Sequence, residues 1–106
     1  MDRLDSTNNE RTKGTIRVRI HVNGIVQGVG FRPYVFRLAR QNGLSGFVSN
    51  RLGEVIIEIE GCPHDIETFQ YQLQLNIIKP IRIDSYEAVS VAVLDDKQFV
   101  ILTIPS

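Results

Sequence analysis

Residues 22–33 carry the side chains and spacing that could bind an anion. They read VNGIVQGVGFRP, with three glycines ahead of an arginine and a proline. Glycine permits tight bends in which several backbone N–H groups converge on one ligand, and the start of a helix offers further unpaired N–H groups with a partial positive charge. Arg32 would add a permanent charge and a planar set of donors that match phosphate oxygens. The segment therefore predicts a loop that binds a small anion.

The pattern alone leaves a second explanation open, a tight strand-to-helix turn without a ligand. The loop lacks the third glycine of the dinucleotide fingerprint, and no Gly-Lys-Ser/Thr follows to complete a P-loop. Proline suits the first position of a helix and disfavours helical geometry in the residue before it. The helix is therefore predicted to begin at Pro33, with Arg32 just before it.

The elements around this loop follow from hydrophobic periodicity. Residues 16–22 alternate between apolar and polar side chains, which predicts a strand with one buried face. Helical spacing runs from Pro33 to Asn42, where Asn-Gly supplies a stop. Residues 46–49 and 55–60 are then predicted to form a hairpin around the turn-rich stretch 50–53.

The second half of the chain adds a helix and two further strands. Helical spacing from Ile66 continues to about Asn76, and residues 81–93 and 99–104 are rich in β-branched side chains. These last two runs flank the polar stretch 95–97 and are predicted to form a second hairpin. The whole order predicts an α+β, ferredoxin-like split βαβ fold (βαββαβ plus a final strand), an antiparallel sheet with both helices on one face. Phe47, Phe69 and Phe99 are expected in its core.

Composition limits the domain count and the partners. The 106 residues suffice for one domain, predicted at 15–106 after a flexible lead-in at 1–14. Twelve basic and twelve acidic side chains cancel, which argues against nucleic acid and membrane partners. The single cysteine excludes an internal disulfide and fits a reducing cytoplasm. His21 and His64 lack neighbours at metal-ligand spacing and are predicted to be solvated, so no metal or cofactor is expected.

Two segments carry a family resemblance. The run from Gly24 to Arg32 closely resembles the phosphate loop of the acylphosphatase family, and Gly46-Phe47-Val48-Ser49-Asn50 resembles its second signature. The resemblance extends from about Thr15 to the end of the chain. Residues 30–39, GFRPYVFRLA, look most like the acylphosphatase domain that opens the HypF carbamoyltransferases, maturation factors of nickel-iron hydrogenases. Pro33 favours that subgroup, because free-standing acylphosphatases usually lack it.

The resemblance implies a hydrolase with specific site residues. Asn50, which alone would be read as a turn residue, aligns with the asparagine that holds the attacking water. Arg32 and Asn50 are thus the catalytic candidates, and the predicted phosphate-binding residues are Gln27, Gly28, Val29, Gly30, Phe31 and Arg32. The expected ligands are acyl phosphates, with carbamoyl phosphate the natural candidate, and inorganic phosphate. A full-length HypF-like protein would also meet the partner HypE.

Two other functions remain open from the sequence. One is a free-standing acylphosphatase. The other is a non-catalytic ferredoxin-like module such as an RNA-recognition domain, which shares the order of elements. The absence of aromatic residues from 55–60 and the zero net charge argue against RNA.

Overall fold

The computed structural model describes residues 14–26, 30–75 and 80–102. These residues form, in order, β1 (Ile16–Ile25), α1 (Phe31–Gln41), β2 (Ser45–Arg51), β3 (Glu54–Gly61), α2 (Pro63–Leu75), β4 (Arg82–Val91) and β5 (Phe99–Leu102). The predicted lead-in falls on residues of which only Gly14 is described. The predicted end of the second helix, near Asn76, also lies outside the described residues.

One sheet with the strand order β4-β1-β3-β2-β5 organises the domain. Strands β1 to β4 pair antiparallel, and β5 pairs parallel to β2. Apolar side chains from one face of this sheet and from both helices form a single buried cluster. Burial of that surface is the main force that holds the two layers together. The predicted α+β ferredoxin-like fold is confirmed.

The predicted second hairpin is wrong. β4 pairs with β1, whereas β5 pairs with β2 at the opposite edge of the sheet. Residues 92–98 therefore run from one edge to the other instead of forming a tight turn. Hydrophobic alternation identifies a strand but carries no information about which strand it pairs with, and a polar stretch suits a long connection as well as a turn.

Helix α1 begins two residues earlier than predicted. Its first residue is Phe31, and Gly30 caps it in the left-handed conformation with φ 82°. Proline is tolerated throughout the first turn because the N–H groups there have no partner within the helix. Arg32 consequently lies inside the helix and not before it.

The core contains two of the three predicted phenylalanines. Phe69 and Phe99 are buried, but Phe47 is only partly buried. Val48 points into the core, so its neighbour Phe47 must project from the opposite face of the sheet, which neither described helix covers. That side, opposite the helices, is called the open face below.

An ion-pair network on the open face was not anticipated. Arg17 has a fully buried side chain whose Nε lies 2.6 Å from Oε1 of Glu58 and whose Nη1 lies 2.9 Å from Oε1 of Glu60. Residues 92–98 cover this network, since the Leu94 N–H donates to Glu60 and Asp96 lies 3.0 Å from Arg17. Residues 92–98, which connect the two edges of the sheet, are thus held to β1 by the ion pair between Asp96 and Arg17.

The turn between β2 and β3 offers a stability test. Leu52 and Gly53 both have positive φ, at 51° and 88°, as a type I′ turn requires. A leucine pays a steric cost there, and it is 94% exposed, so it gains nothing from burial. Leu52→Asn should raise the free energy of unfolding by about 0.5–1 kcal/mol, measured by urea denaturation. Leu52→Ala, which keeps the Cβ, should not; equal gains from both would show that hydrophobic exposure matters and strain does not.

Candidate anion-binding site

The predicted loop is anchored by buried residues on both sides. Val26, at the end of β1, and Phe31, at the start of α1, are each 1% exposed and pack in the core. Gln27, Gly28 and Val29 lie between them, outside the described residues. The structure therefore places only Gly30, Phe31 and Arg32 of the predicted phosphate-binding set, at the N-terminus of α1.

This N-terminus has no capping group within the described residues. Gly30 has no side chain to accept a hydrogen bond, and the first turn contains no acidic residue. The first helical bond runs from the Tyr34 N–H to the Gly30 carbonyl, 3.2 Å away. The N–H groups of Phe31 and Arg32 accordingly have no partner among the described residues. Unpaired N–H groups at a helix start favour an anion.

Arg32 supplies a full positive charge at the same place. It is partly buried, and no carboxylate within the described residues lies within ion-pair distance of it. A guanidinium without a protein carboxylate keeps its donors for a ligand. Arg32 therefore stays a predicted phosphate contact.

Asn50 belongs to β2 and not to the turn, which consists of Leu52 and Gly53 alone. In the strand register, Asn50 pairs with Val55, and Val55 pairs with Val22. Both valines are fully buried beneath the helices, so Asn50 lies on that same face. Its row crosses β1 shortly before the strand enters the loop. Asn50 and the loop therefore share one end of the sheet, about 10 Å apart in the strand-to-strand direction.

The Asn50 side chain carries an unusual feature. Its Oδ1 atom is buried and has no hydrogen-bond partner among the described residues. An unsatisfied buried acceptor typically costs about 1–3 kcal/mol. Such an atom is suited to accept a hydrogen bond from a bound water, and functional sites are where such costs are found.

Tyr34 is a supporting residue that sequence reasoning did not single out. Its hydroxyl donates to the carbonyl of Gln72 on α2 at 3.3 Å, and its ring centroid lies 6.3 Å from that of Phe31. These contacts hold the first turn of α1 against α2. The spacing of Phe31 and Tyr34 on one helix face was the available signal.

Other candidate groups do not join this site. His21 lies on the open face, with Nδ1 3.4 Å from a Glu54 oxygen, and His64 is exposed at the start of α2. Across residues 14–26, 30–75 and 80–102 there is no group of three or more side chains that could hold a metal ion. In those same ranges no helix is both long and apolar enough to cross a membrane.

Comparison with known proteins identifies the family. The family model for acylphosphatase matches residues 18–101. The chain belongs to the acylphosphatase family. The match includes Arg32, Asn50 and both segments that carried the resemblance in the sequence. Proteins named acylphosphatase are hydrolases of acyl phosphates.

Relatives of two kinds share this acylphosphatase domain. The probable carbamoyltransferase HypF of Methanocaldococcus jannaschii is 47% identical over 72 residues, which is 68% of this chain and 9% of that protein. The acylphosphatase of Photorhabdus laumondii is 39% identical over 85 residues, which is 79% of this chain and 92% of that protein. The chain thus spans about a tenth of the HypF relatives and most of the free acylphosphatases.

Solved structures show the same division. A full-length HypF in a phosphate- and nucleotide-bound form superposes with a TM-score of 0.81 at 38% identity, covering 84% of this chain and 12% of that one. Acylphosphatase from Bacillus subtilis superposes with a TM-score of 0.77 at 30% identity, covering 82% of this chain and 98% of that one.

Proposed function

We propose that this domain binds the phosphoryl group of an acyl phosphate at the start of α1 and hydrolyses it with water held by Asn50. The observation that carries the proposal is the coincidence of three features at one end of the sheet. Within the described residues, these are an uncapped helix N-terminus, an arginine without a carboxylate partner and a buried amide oxygen without a donor. The first two features suit a phosphate, and the third suits the water that attacks it.

The chemistry needs few groups. Backbone N–H groups of residues 28–32 and the Arg32 guanidinium would bind the three non-bridging oxygens and stabilise charge in the transition state. Asn50 Oδ1 would accept a hydrogen bond from water and direct its oxygen at phosphorus. The new P–O bond forms as the P–O bond to the acyl group breaks, giving a carboxylate and inorganic phosphate, and the water protons pass to the phosphate and to solvent. A carboxylate leaves readily, so no general acid is required.

Carbamoyl phosphate is the proposed substrate within this class. Support comes from Pro33 in the first turn of α1 and from the 47% identity to a HypF protein. On the same basis, a longer HypF-like protein containing this domain would transfer a carbamoyl group to HypE. A free-standing acylphosphatase is the second candidate, because the Photorhabdus enzyme is covered almost completely. Comparing kcat/KM for carbamoyl and benzoyl phosphate separates the two: a preference for benzoyl phosphate favours the second.

A third candidate, the RNA-binding module, gains no support from the open face. Its central strand β3 (Glu54–Gly61) carries no aromatic side chain. Stacking on aromatic residues is how such sheets hold bases.

Phosphate titration tests the location of the site. Inorganic phosphate should shift the backbone amide resonances of Gly30, Phe31 and Arg32, and it should inhibit hydrolysis competitively, because the loop recognises the tetrahedral anion. The amide of Lys97, at the opposite end of the sheet, serves as the internal reference. Shifts centred on residues 95–97, or none at low ionic strength, would move the site elsewhere.

Asn50→Ala should separate catalysis from binding. Turnover should fall at least about tenfold, while phosphate affinity should change little, because positioned water acts on the reaction and not on the bound anion. Asn23→Ala, which removes an exposed amide from the open face, is the matched control and should leave both unchanged. Equal losses of turnover and affinity in Asn50→Ala would mean that Asn50 only supports the strand.

A further inference from the structure

The open face contains a cavity that the acylphosphatase site does not use. It holds about 260 Å³ and is lined by Arg19, His21, Phe47, Ser49, Arg51, Ile56, Glu58 and Leu102. This volume is near the lower end of the range for small-molecule sites, about 300–1,000 Å³. The cavity therefore has room for a ligand about the size of one ring with a short substituent.

The register of the strands arranges this lining in rows. Arg19, Glu58 and Phe47 lie side by side on β1, β3 and β2, and His21, Ile56 and Ser49 form the next row. Leu102 on β5 continues the second row beside Ser49. An aromatic ring and two aliphatic side chains thus contribute the apolar part of the lining, with basic groups at its edges.

The basic side chains of the lining differ in how many of their N–H donors already have a protein acceptor. Arg19 Nε lies 2.8 Å from Oε2 of Glu58, while its two terminal amino groups have no protein partner among the described residues. The other oxygen of Glu58 is taken by Arg17 at 2.6 Å. The single carboxylate in the lining is therefore already shared by two arginines and does not neutralise a third.

Arg51 is the third arginine, and it has donors to spare. Glu54 lies directly across from it in the register, but no ion pair forms between them within the described residues. The Glu54 carboxylate instead contacts His21 Nδ1 at 3.4 Å and Asn23 Nδ2 at 3.5 Å. Glu87, opposite His21 on β4, is exposed outside the lining. Arg51 thus leaves one uncompensated charge facing an apolar wall.

We propose that this cavity is a second binding site, for a small aromatic carboxylate. The ring would pack on Phe47, Ile56 and Leu102, and the carboxylate would accept hydrogen bonds from Arg51. One uncompensated charge fits a monoanion. The sheet separates this cavity from Asn50, because Ser49 and Asn50 are neighbours on β2 that project from opposite faces. The site is consequently independent of the proposed hydrolysis.

Benzoate is the probe, followed through the backbone amides of the labelled domain. Saturable shifts should centre on Phe47, Ser49 and Ile56, and they should persist in Arg32→Ala, whose phosphate loop is impaired. Benzyl alcohol, which keeps the ring but lacks the charge, should bind at least about tenfold more weakly, as expected for the loss of a charge-assisted hydrogen bond.

Arg51→Met should weaken benzoate binding by about tenfold, for the same reason. Arg51 is exposed and has no protein ion pair in the described residues, so this variant should remain folded. Arg37→Met removes an equal charge from the exposed side of α1 and should leave affinity unchanged. The proposal is overturned if the benzoate-induced amide shifts are confined to residues 30–32 or do not saturate below about 10 mM. It is also overturned if benzyl alcohol binds as tightly as benzoate, or if Arg51→Met and Arg37→Met change benzoate affinity equally.

Discussion

Arg32→Ala should leave the domain folded and reduce acyl phosphate hydrolysis by at least about 10²- to 10³-fold. Removing one preorganised donor to a developing charge typically has an effect of that size, and Arg32 would contribute a full charge as well as directed hydrogen bonds. Its guanidinium has no carboxylate partner in the described residues, so folding does not depend on an ion pair there. Steady-state kinetics with benzoyl and carbamoyl phosphate measure the loss, and circular dichroism checks the fold.

Two further variants sharpen this test. Arg32→Lys should recover little activity, because a point charge cannot reproduce the planar pair of donors of a guanidinium. Arg37→Ala, a charge loss on the exposed side of the same helix, should retain near-normal rates. A folded Arg32→Ala domain that keeps more than about a tenth of the activity would contradict the catalytic role. The domain would then be a phosphate-binding or structural module.

Arg17→Met should have the largest effect on stability. It leaves the buried carboxylates of Glu58 and Glu60 without their shared cation, and breaking a buried ion pair in this way costs about 3–5 kcal/mol. A domain of this size is typically stable by about 5–15 kcal/mol, so urea denaturation should show a much lower midpoint. Arg82→Met breaks an exposed pair with Asp84 and should barely move the midpoint.

The pH dependence of stability provides an independent readout. Burial alone would raise the pKa of Glu58, but hydrogen bonds from Arg17 and Arg19 outweigh it and lower that pKa. Burial would likewise raise the pKa of Glu60, but hydrogen bonds from the Leu94 N–H and from Arg17 lower it. Carboxylates with a lower pKa in the folded state stabilise it at neutral pH, and this stabilisation is lost as pH falls through the folded-state pKa. In Arg17→Met, the free energy of unfolding should therefore fall less steeply as the pH is lowered. An unchanged pH dependence, or a loss of stability below about 1 kcal/mol at neutral pH, would show that the network contributes little.

The parts of the fold that sequence could predict are those governed by local periodicity. Alternation in residues 16–22 and helical spacing after Phe31 reflect which side chains must be buried, and the corresponding elements formed. The pairing partners of β4 and β5 depend on contacts between distant segments, and the alternation of apolar and polar residues within a strand does not indicate its partner. Burial of Arg17 was unpredictable for the same reason: residues 92–98, far away in sequence, cover it.

The site divides in a similar way. The glycines and Arg32 are local signals of a loop before a helix, and they predicted an anion site with a ligand-free turn as the alternative, which only the family resemblance disfavoured. The role of Asn50 had no local signal, since an isolated asparagine before Arg-Leu-Gly resembles any turn residue; only the family resemblance raised its importance. Its unsatisfied oxygen becomes visible only when neighbouring strands and helices enclose it. The open-face cavity is also invisible in sequence, because its lining comes from four strands.

The parallel pairing of β5 with β2 gives the domain a polarity that matters for attaching other molecules. β2 runs toward Asn50, so β5 runs the same way, and Leu102 lies beside Ser49 at the end that carries the proposed hydrolytic groups. β1 enters at the other end of the sheet: its first residue, Ile16, lies six residues, or about 20 Å, from the row that contains Asn50. A dye or affinity tag joined ahead of β1 therefore stays clear of incoming substrate, whereas a polypeptide joined after β5 departs next to it. Fusion partners should be chosen accordingly: upstream for inert handles, downstream for a second catalyst meant to capture the released product.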